Sequence, residues 1–265
     1  MKRIALIDHD IDNFHANKFT SLLAEHDLGF TVSGVWASRR DNLQAWAAAR
    51  QVVAVDSVAD LAPLADYVMV LAPSNPETHP DLCAKAFALG KTTYVDKTFA
   101  TDGASAQALF ALADRHGVAV QTSSVLRYTA LQEHCRSRPE FPPVSIHAWA
   151  SGDHFREYVI HPLEGVVSVM GPEIEAVEVN GIAGAKRIAL RFSGGRQAWV
   201  HMHEKHQTPF FYVVSDAERT TPVPVDGGTL FLNGLRGILD FFRAGKALVP
   251  REETLAILRV LDTLA

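Results

Sequence analysis

Cysteine is nearly absent from this chain: Cys83 and Cys135 are the only two in 265 residues. Two cysteines make neither a disulfide framework nor a zinc ribbon. Both fall in helical patterns, where a thiol packs as a small apolar side chain. Long apolar runs are missing too, and no stretch reaches the roughly 18 residues that a membrane-spanning helix needs. Positive charge is not in excess. The formal net charge is -5, which argues against nucleic acid or an anionic membrane as the main partner. The opening MKRIALIDHD starts basic but turns acidic at once, unlike a secretory signal. Internal repeats and low-complexity linkers are also lacking. What remains is a 48% hydrophobic chain, expected to be globular, with a real core and a cytoplasmic setting. Its length suits one large domain or two small ones.

Short apolar runs alternate with helical patterns through the first half. Strands are expected over 2–8, 30–37, 52–55, 67–71, 92–95 and 118–121. Helices are expected over 13–25, 41–50 and 104–116, with another ending at Gly90. This alternation predicts an α/β fold, a doubly wound parallel sheet of the Rossmann type over residues 1–122. A helical pattern over 126–138 is followed by Pro139, Pro142 and Pro143, the one linker-like stretch. Beyond it, strands are expected over 144–150, 174–179, 187–192, 197–204 and 210–214. A helix runs between the first two of these, with Leu163, Val166, Val167 and Met170 as its apolar side. Pro162 is expected to open a new helical turn there. Amphipathic helices over 229–243 and 250–264 close the chain. The second domain, residues 123–265, is therefore predicted as α+β, built on an open antiparallel sheet.

In an open parallel sheet, ligands lie at the carboxyl ends of the strands. Ser74 to His79 follow the strand over 67–71, and Asp96 and Lys97 end the strand over 92–95. The two segments therefore point to the same end of the sheet. The first strand-to-helix turn reads Asp8-His9-Asp10-Ile11-Asp12-Asn13-Phe14-His15. A dinucleotide fold wants G-x-G-x-x-G there, so that a diphosphate can lie against backbone N–H groups at the helix N-terminus. No glycine is present. A carboxylate about 4 Å from a phosphate charge costs on the order of 4 kcal/mol at an effective dielectric near 20. Asp8, His9, Asp10 and His15 could instead bind a divalent metal or the hydroxyls of a polar ligand. They could also form a plain solvated turn, with Asp12 or Asn13 as N-cap. At the end of the second strand, Ser38, Arg39 and Arg40 stand where NAD enzymes place an acidic residue. They suit an NADP 2′-phosphate, or simply a solvated helix start.

Ser74, Pro76, Glu77, Thr78 and His79, then Leu89-Gly90-Lys91, then Asp96-Lys97-Thr98 keep an ungapped spacing. That pattern resembles the Gfo/Idh/MocA (glucose–fructose oxidoreductase / inositol dehydrogenase) family. Its members carry a turn like S-P-P-E-T-H, a helix, A-G-K, and a strand ending in E-K-P. Here Asp96 replaces the glutamate, Thr98 the proline, and Asp8 and Asp10 the first two loop glycines. Glu157, His161 and Glu164 match the family's D-x-x-x-H-x-x-D. The resemblance implies an oxidoreductase acting on a sugar, polyol or related small hydroxy or keto compound, with NADP or NAD as cofactor. Lys97 and His161 would carry proton transfer, and Asp96 and Glu157 would orient them. Asp8, Asp10, Ser38, Arg39, Arg40, Ser74 and His79 would lie on the cofactor side. No metal is implied. A homo-oligomer assembled through the C-terminal sheet is.

Two other readings stay open. The Lys/His pair could serve a cofactor-independent lyase, isomerase or hydrolase, with or without a metal, by proton abstraction beside a carbonyl. The chain could also be a non-catalytic binding subunit. His201, His203 and His206, with His154 and His161, form a histidine-rich region. It suits interface or substrate contacts better than a metal.

Overall fold

The computed structural model describes residues 1–182, 184–204 and 207–264. The chain divides into two compact units: Met1–Ser123 with Leu235–Pro250, and Ser124–Gly234 with the segment from Arg251 onward.

In the first unit, β1 (Lys2–Asp8), β2 (Phe30–Ala37), β3 (Val53–Ala54), β4 (Tyr67–Val70), β5 (Thr93–Val95) and β6 (Val120–Thr122) form one sheet. The strand order is β3-β2-β1-β4-β5-β6, and every pairing is parallel. This is the doubly wound Rossmann order. Residues Ile4 to Ile7 of β1 are all buried. A parallel strand covered by helices on both faces has no solvent side, so its sequence does not alternate. The helices are α1 (Phe14–Glu25), α2 (Leu43–Arg50), α3 (His79–Phe87) and α4 (Gly103–Arg115). Asn13 caps α1 by accepting from the Ala16 N–H at 3.0 Å, and Asp102 caps α4 through Ser105 at 2.7 Å. Residues 235–250 join this unit through two anchors. Phe242 stacks on Tyr67 with ring centroids 4.7 Å apart. The Gln121 Oε1 accepts from the N–H groups of Leu248 and Val249 at 2.7 and 3.1 Å.

The second unit holds α5 (Ala130–Arg136), β7 (Ser145–Ser151), α6 (Phe155–Met170), β8 (Ile174–Ile182), β9 (Ala185–Phe192), β10 (Gln197–His203), β11 (Phe211–Ser215) and β12 (Thr220–Pro224). The start of α7 (Leu230–Ala244) and all of α8 (Arg251–Asp262) belong to it as well. Its sheet runs β12-β11-β7-β10-β9-β8. The expected open antiparallel sheet is corrected to a mixed one, because β7 and β10 pair in parallel. The crossover through α6 explains this. It returns the chain in the direction of β7, and the β8-β9-β10 meander then brings back a strand of the same direction. β12 was not foreseen. It carries Pro222 and Pro224, and prolines are tolerated in a sheet only at an edge. The expected fresh turn at Pro162 is also corrected, since α6 runs through it unbroken. Ile146, Ala148 and Ala150 of β7 are buried beneath Val159, Leu163, Val166, Val167 and Met170 of α6.

Candidate functional site

The β1–α1 turn is held together by its own acids. The Asp8 carboxylate is fully buried. Its Oδ1 accepts from the N–H groups of His9, Asp10 and Ala72 at 2.7, 3.3 and 3.1 Å. Its Oδ2 accepts from the Asn13 amide at 2.8 Å. Burial pushes the Asp8 carboxyl up to about 7, and these four donors pull against it. Asp10 Oδ1 accepts from the Asp12 N–H at 3.3 Å. Its other oxygen pairs with Arg39 at 3.1 Å, and Arg39 also lies 3.5 Å from Asp41. Arg40 donates to the carbonyls of Val55 and Asp56 at 2.9 and 2.8 Å. Ser38 is exposed, and its N–H donates to the Asp8 carbonyl at 3.1 Å.

Asp96 and Lys97 stand at the carboxyl end of β5, and both are buried. Asp96 pairs with His15, a residue of the buried face of α1. It also accepts from the Lys97 N–H at 2.8 Å. Burial raises the Asp96 carboxyl, but the charge and hydrogen bond of His15, and then the charge of Lys97, outweigh that. Its pKa falls below the ordinary 3.8. The Lys97 ammonium donates to the Pro73 carbonyl at 3.2 Å. Lys97–Thr98 is a cis peptide bond. His79 is fully buried. Its Nδ1 lies 3.0 Å from the Phe99 carbonyl, and its Nε2 lies 2.9 Å from that of Leu71. That imidazole thus clasps the loops after β4 and β5. Ser74 is exposed.

In the second unit, His161 lies on α6 with its Nδ1 2.7 Å from the Ser124 hydroxyl. Ser124 Oγ already accepts from the Leu126 N–H at 3.2 Å. A hydroxyl can donate and accept at once, so Ser124 Oγ can hold the His161 ring in either tautomer. Glu157 sits one turn earlier on the same helix and is half-buried. Glu164 is buried in an ion pair with Arg127 at 2.7 Å, and Arg127 pairs with Glu253 at 2.5 Å. That charge cluster ties α6 to α8. On the open sheet face, His147 stacks on Trp199 and His201 on Trp149, with centroids 4.5 and 4.9 Å apart. His206 lies outside the described residues. Among those described, no group of three or more His, Cys, Asp and Glu side chains could hold a metal ion.

Several partners escaped the sequence reading. His15 was a candidate for a metal or polar ligand, not for Asp96; its burial had a usable signal, since it shares a helix face with Phe19 and Leu22 at i, i+4 and i+7. Ser124, Arg127 and Glu253 carried none.

Residues 11–124 match a family model described as an oxidoreductase family with an NAD-binding Rossmann fold. The family is Gfo/Idh/MocA, and the match spans less than half of the chain. The match starts at Ile11, beyond β1 and the Asp8-His9-Asp10 turn. Solved structures share the fold along the whole chain. UDP-N-acetylglucosamine 3-dehydrogenase GnnA from Acidithiobacillus ferrooxidans is 15% identical, with 98% of this chain and 95% of that one covered and a TM-score of 0.83. GenD2 from gentamicin A biosynthesis, solved with NAD, is 14% identical over 98% and 92%, with a TM-score of 0.79. Biliverdin reductase from Synechocystis sp. PCC 6803, solved with biliverdin and NADP+, is 15% identical over 98% and 97%, with a TM-score of 0.72. No curated protein matches the sequence. In a Gfo/Idh/MocA domain the cofactor's diphosphate belongs at the β1–α1 turn. With Asp8 and Asp10 where they stand, this turn does not fit a diphosphate: the N–H groups of His9, Asp10 and Asp12 are already bonded and its surface is acidic.

Proposed function

We propose that the chain is a Gfo/Idh/MocA-type oxidoreductase acting on a sugar, a polyol or a related small hydroxy or keto compound. The observation that carries this reading is Lys97. Its side chain is only 5% exposed and ends a strand within the segment matched to an oxidoreductase family. Burying an ammonium is costly, and the carboxyl end of a parallel strand is where ligands lie. Held beside the buried Asp96, that charge is positioned to meet a ligand oxygen. Lys97 polarises the substrate oxygen and His161 exchanges its proton through Nε2, while Ser124 holds the ring through Nδ1. Asp96 holds the Lys97 backbone, and Glu157 orients His161 from the preceding turn. The co-substrate is NADP or NAD, as in the two neighbours solved with them, and its diphosphate has to displace the acids of the β1–α1 turn. The substrate class follows the sugar-nucleotide dehydrogenase among the neighbours.

The test is a panel of free sugars, sugar nucleotides and polyols, each with millimolar NADP+ or NAD+, and their keto forms with NADPH or NADH. Substrate-dependent change in reduced nicotinamide supports the reading, and a blank panel in both directions removes it. The occupied β1–α1 turn favours one second reading, cofactor-free proton abstraction beside a carbonyl by the same residues. Solvent deuterium entering a keto sugar without nicotinamide would identify it. We also propose that the chain assembles as a homo-oligomer through the half-exposed aromatic face of its second sheet.

A further inference from the structure

We infer that the β1–α1 turn carries its own acceptors: Asp8 and Asp10 occupy backbone N–H groups that a Rossmann fold otherwise offers to a diphosphate, and a dinucleotide binds only by displacing them. The inference rests on the oxidoreductase reading only for its choice of ligand.

The donors make the case. A Rossmann turn holds a phosphate with successive backbone N–H groups and a helix N-terminus, and needs no cation to do so. Asp8 is held in the same way. Its bonded donors are the N–H groups of His9, Asp10 and Ala72 and the Asn13 amide, all neutral. Asp10 takes the Asp12 N–H, and the Asn13 side chain takes the Ala16 N–H in the first turn of α1. Donors from the end of β1, the start of α1 and the end of β4 are thus satisfied before any ligand arrives. Asp10 acts a second time by drawing in Arg39, the cation placed to read a 2′-phosphate. The two side chains also fill space that glycines would leave open to an approaching phosphate. Displacement is feasible for Asp10, whose side chain is 34% exposed. Asp8 must give up four bonds inside the protein.

The test is nicotinamide-fluorescence titration of NADPH and NADH into the full-length protein, wild type against Asp10→Gly, Asp8→Asn and the double variant Asp8→Gly/Asp10→Gly. Removing Asp10 is expected to tighten NADPH more than NADH, because it takes away the nearer of the two carboxylates that pair with Arg39. The double variant is expected to bind both at least about tenfold tighter than wild type, the scale of one charge-assisted hydrogen bond. A double variant that melts cooperatively and binds no tighter overturns the inference. If that variant does not fold, Asp10→Gly decides, and unchanged affinity for both NADPH and NADH in that variant overturns it. Tighter binding without turnover on any substrate would leave the inference standing and remove the oxidoreductase reading. Wild-type turnover at micromolar cofactor, indifferent to these substitutions, would do the reverse.

Discussion

Asp8 sits fully buried with a carboxyl pushed up to about 7, and that has a consequence for stability. Between the ordinary 3.8 and about 7, the folded chain holds a proton that the unfolded chain releases. A raised carboxylate pKa contributes stability that is fully present below the unfolded value and is lost as pH rises through the folded one. Asp8→Asn keeps an acceptor for the three N–H groups and removes the titration. The melting temperature of the variant relative to wild type is expected to climb from pH 5 to pH 8. A constant difference across that range would mean that the burial of Asp8 is not felt as charge. At this scale, sequence legibility depended on distance along the chain. Asp96 and Lys97 were readable because neighbours in sequence form the motif that contains them. The His15–Asp96 pair spans 81 residues and the Ser124–His161 pair 37. No local pattern encodes such meetings.

Among the elements, α6 shows how tightly a helix can be fitted to its sheet. A Cβ added at Gly165 would lie 2.1 Å from the Tyr212 hydroxyl oxygen and 2.7 Å from its Cζ. Gly165→Ala is therefore expected to destabilise the chain by about 1–3 kcal/mol, the usual cost of overpacking. The Tyr212 hydroxyl is itself buried without a hydrogen-bond partner among the described residues. An unmade buried hydrogen bond costs free energy, so Tyr212→Phe should be as stable as wild type or more so. It should also recover part of the Gly165→Ala loss. Chemical denaturation of the two single variants and the double checks both expectations, and additive effects would contradict the contact. The strands of the Rossmann sheet were legible within a residue or two because apolar runs between glycine and proline breaks leave little choice. β12 was not, because its two prolines carry the signature of a loop. The interior position of Pro162 was not legible either. Periodicity on its two sides is the same whether a helix continues or restarts.

For the whole molecule, the order of strands was only half legible. Alternating strands and helices dictate a parallel doubly wound sheet. A run of strands says nothing of where a later one inserts, and the β7–β10 pairing depends on that. The open face of the second sheet carries His147, Trp149, Trp199 and His201, all half-buried. Burial holds both imidazoles below the ordinary histidine value, and His147 adds its charge to the effect on His201. Light scattering is expected to show an oligomer at neutral pH that Trp149→Glu dissociates without unfolding. Acid should weaken it, because protonation puts two charges on rings 5.6 Å apart. A monomer at every pH would remove the oligomer proposal.

Lys97 and His161 are proposed to move the proton in an oxidation of a hydroxyl compound. The most direct measurement is the turnover number of wild type, Lys97→Met and His161→Asn on one substrate, with cofactor binding followed in parallel. Each substitution is expected to lower turnover by about 10²–10⁴-fold, the usual worth of a positioned acid or base. Cofactor affinity should move far less. Turnover that survives both substitutions would contradict that role.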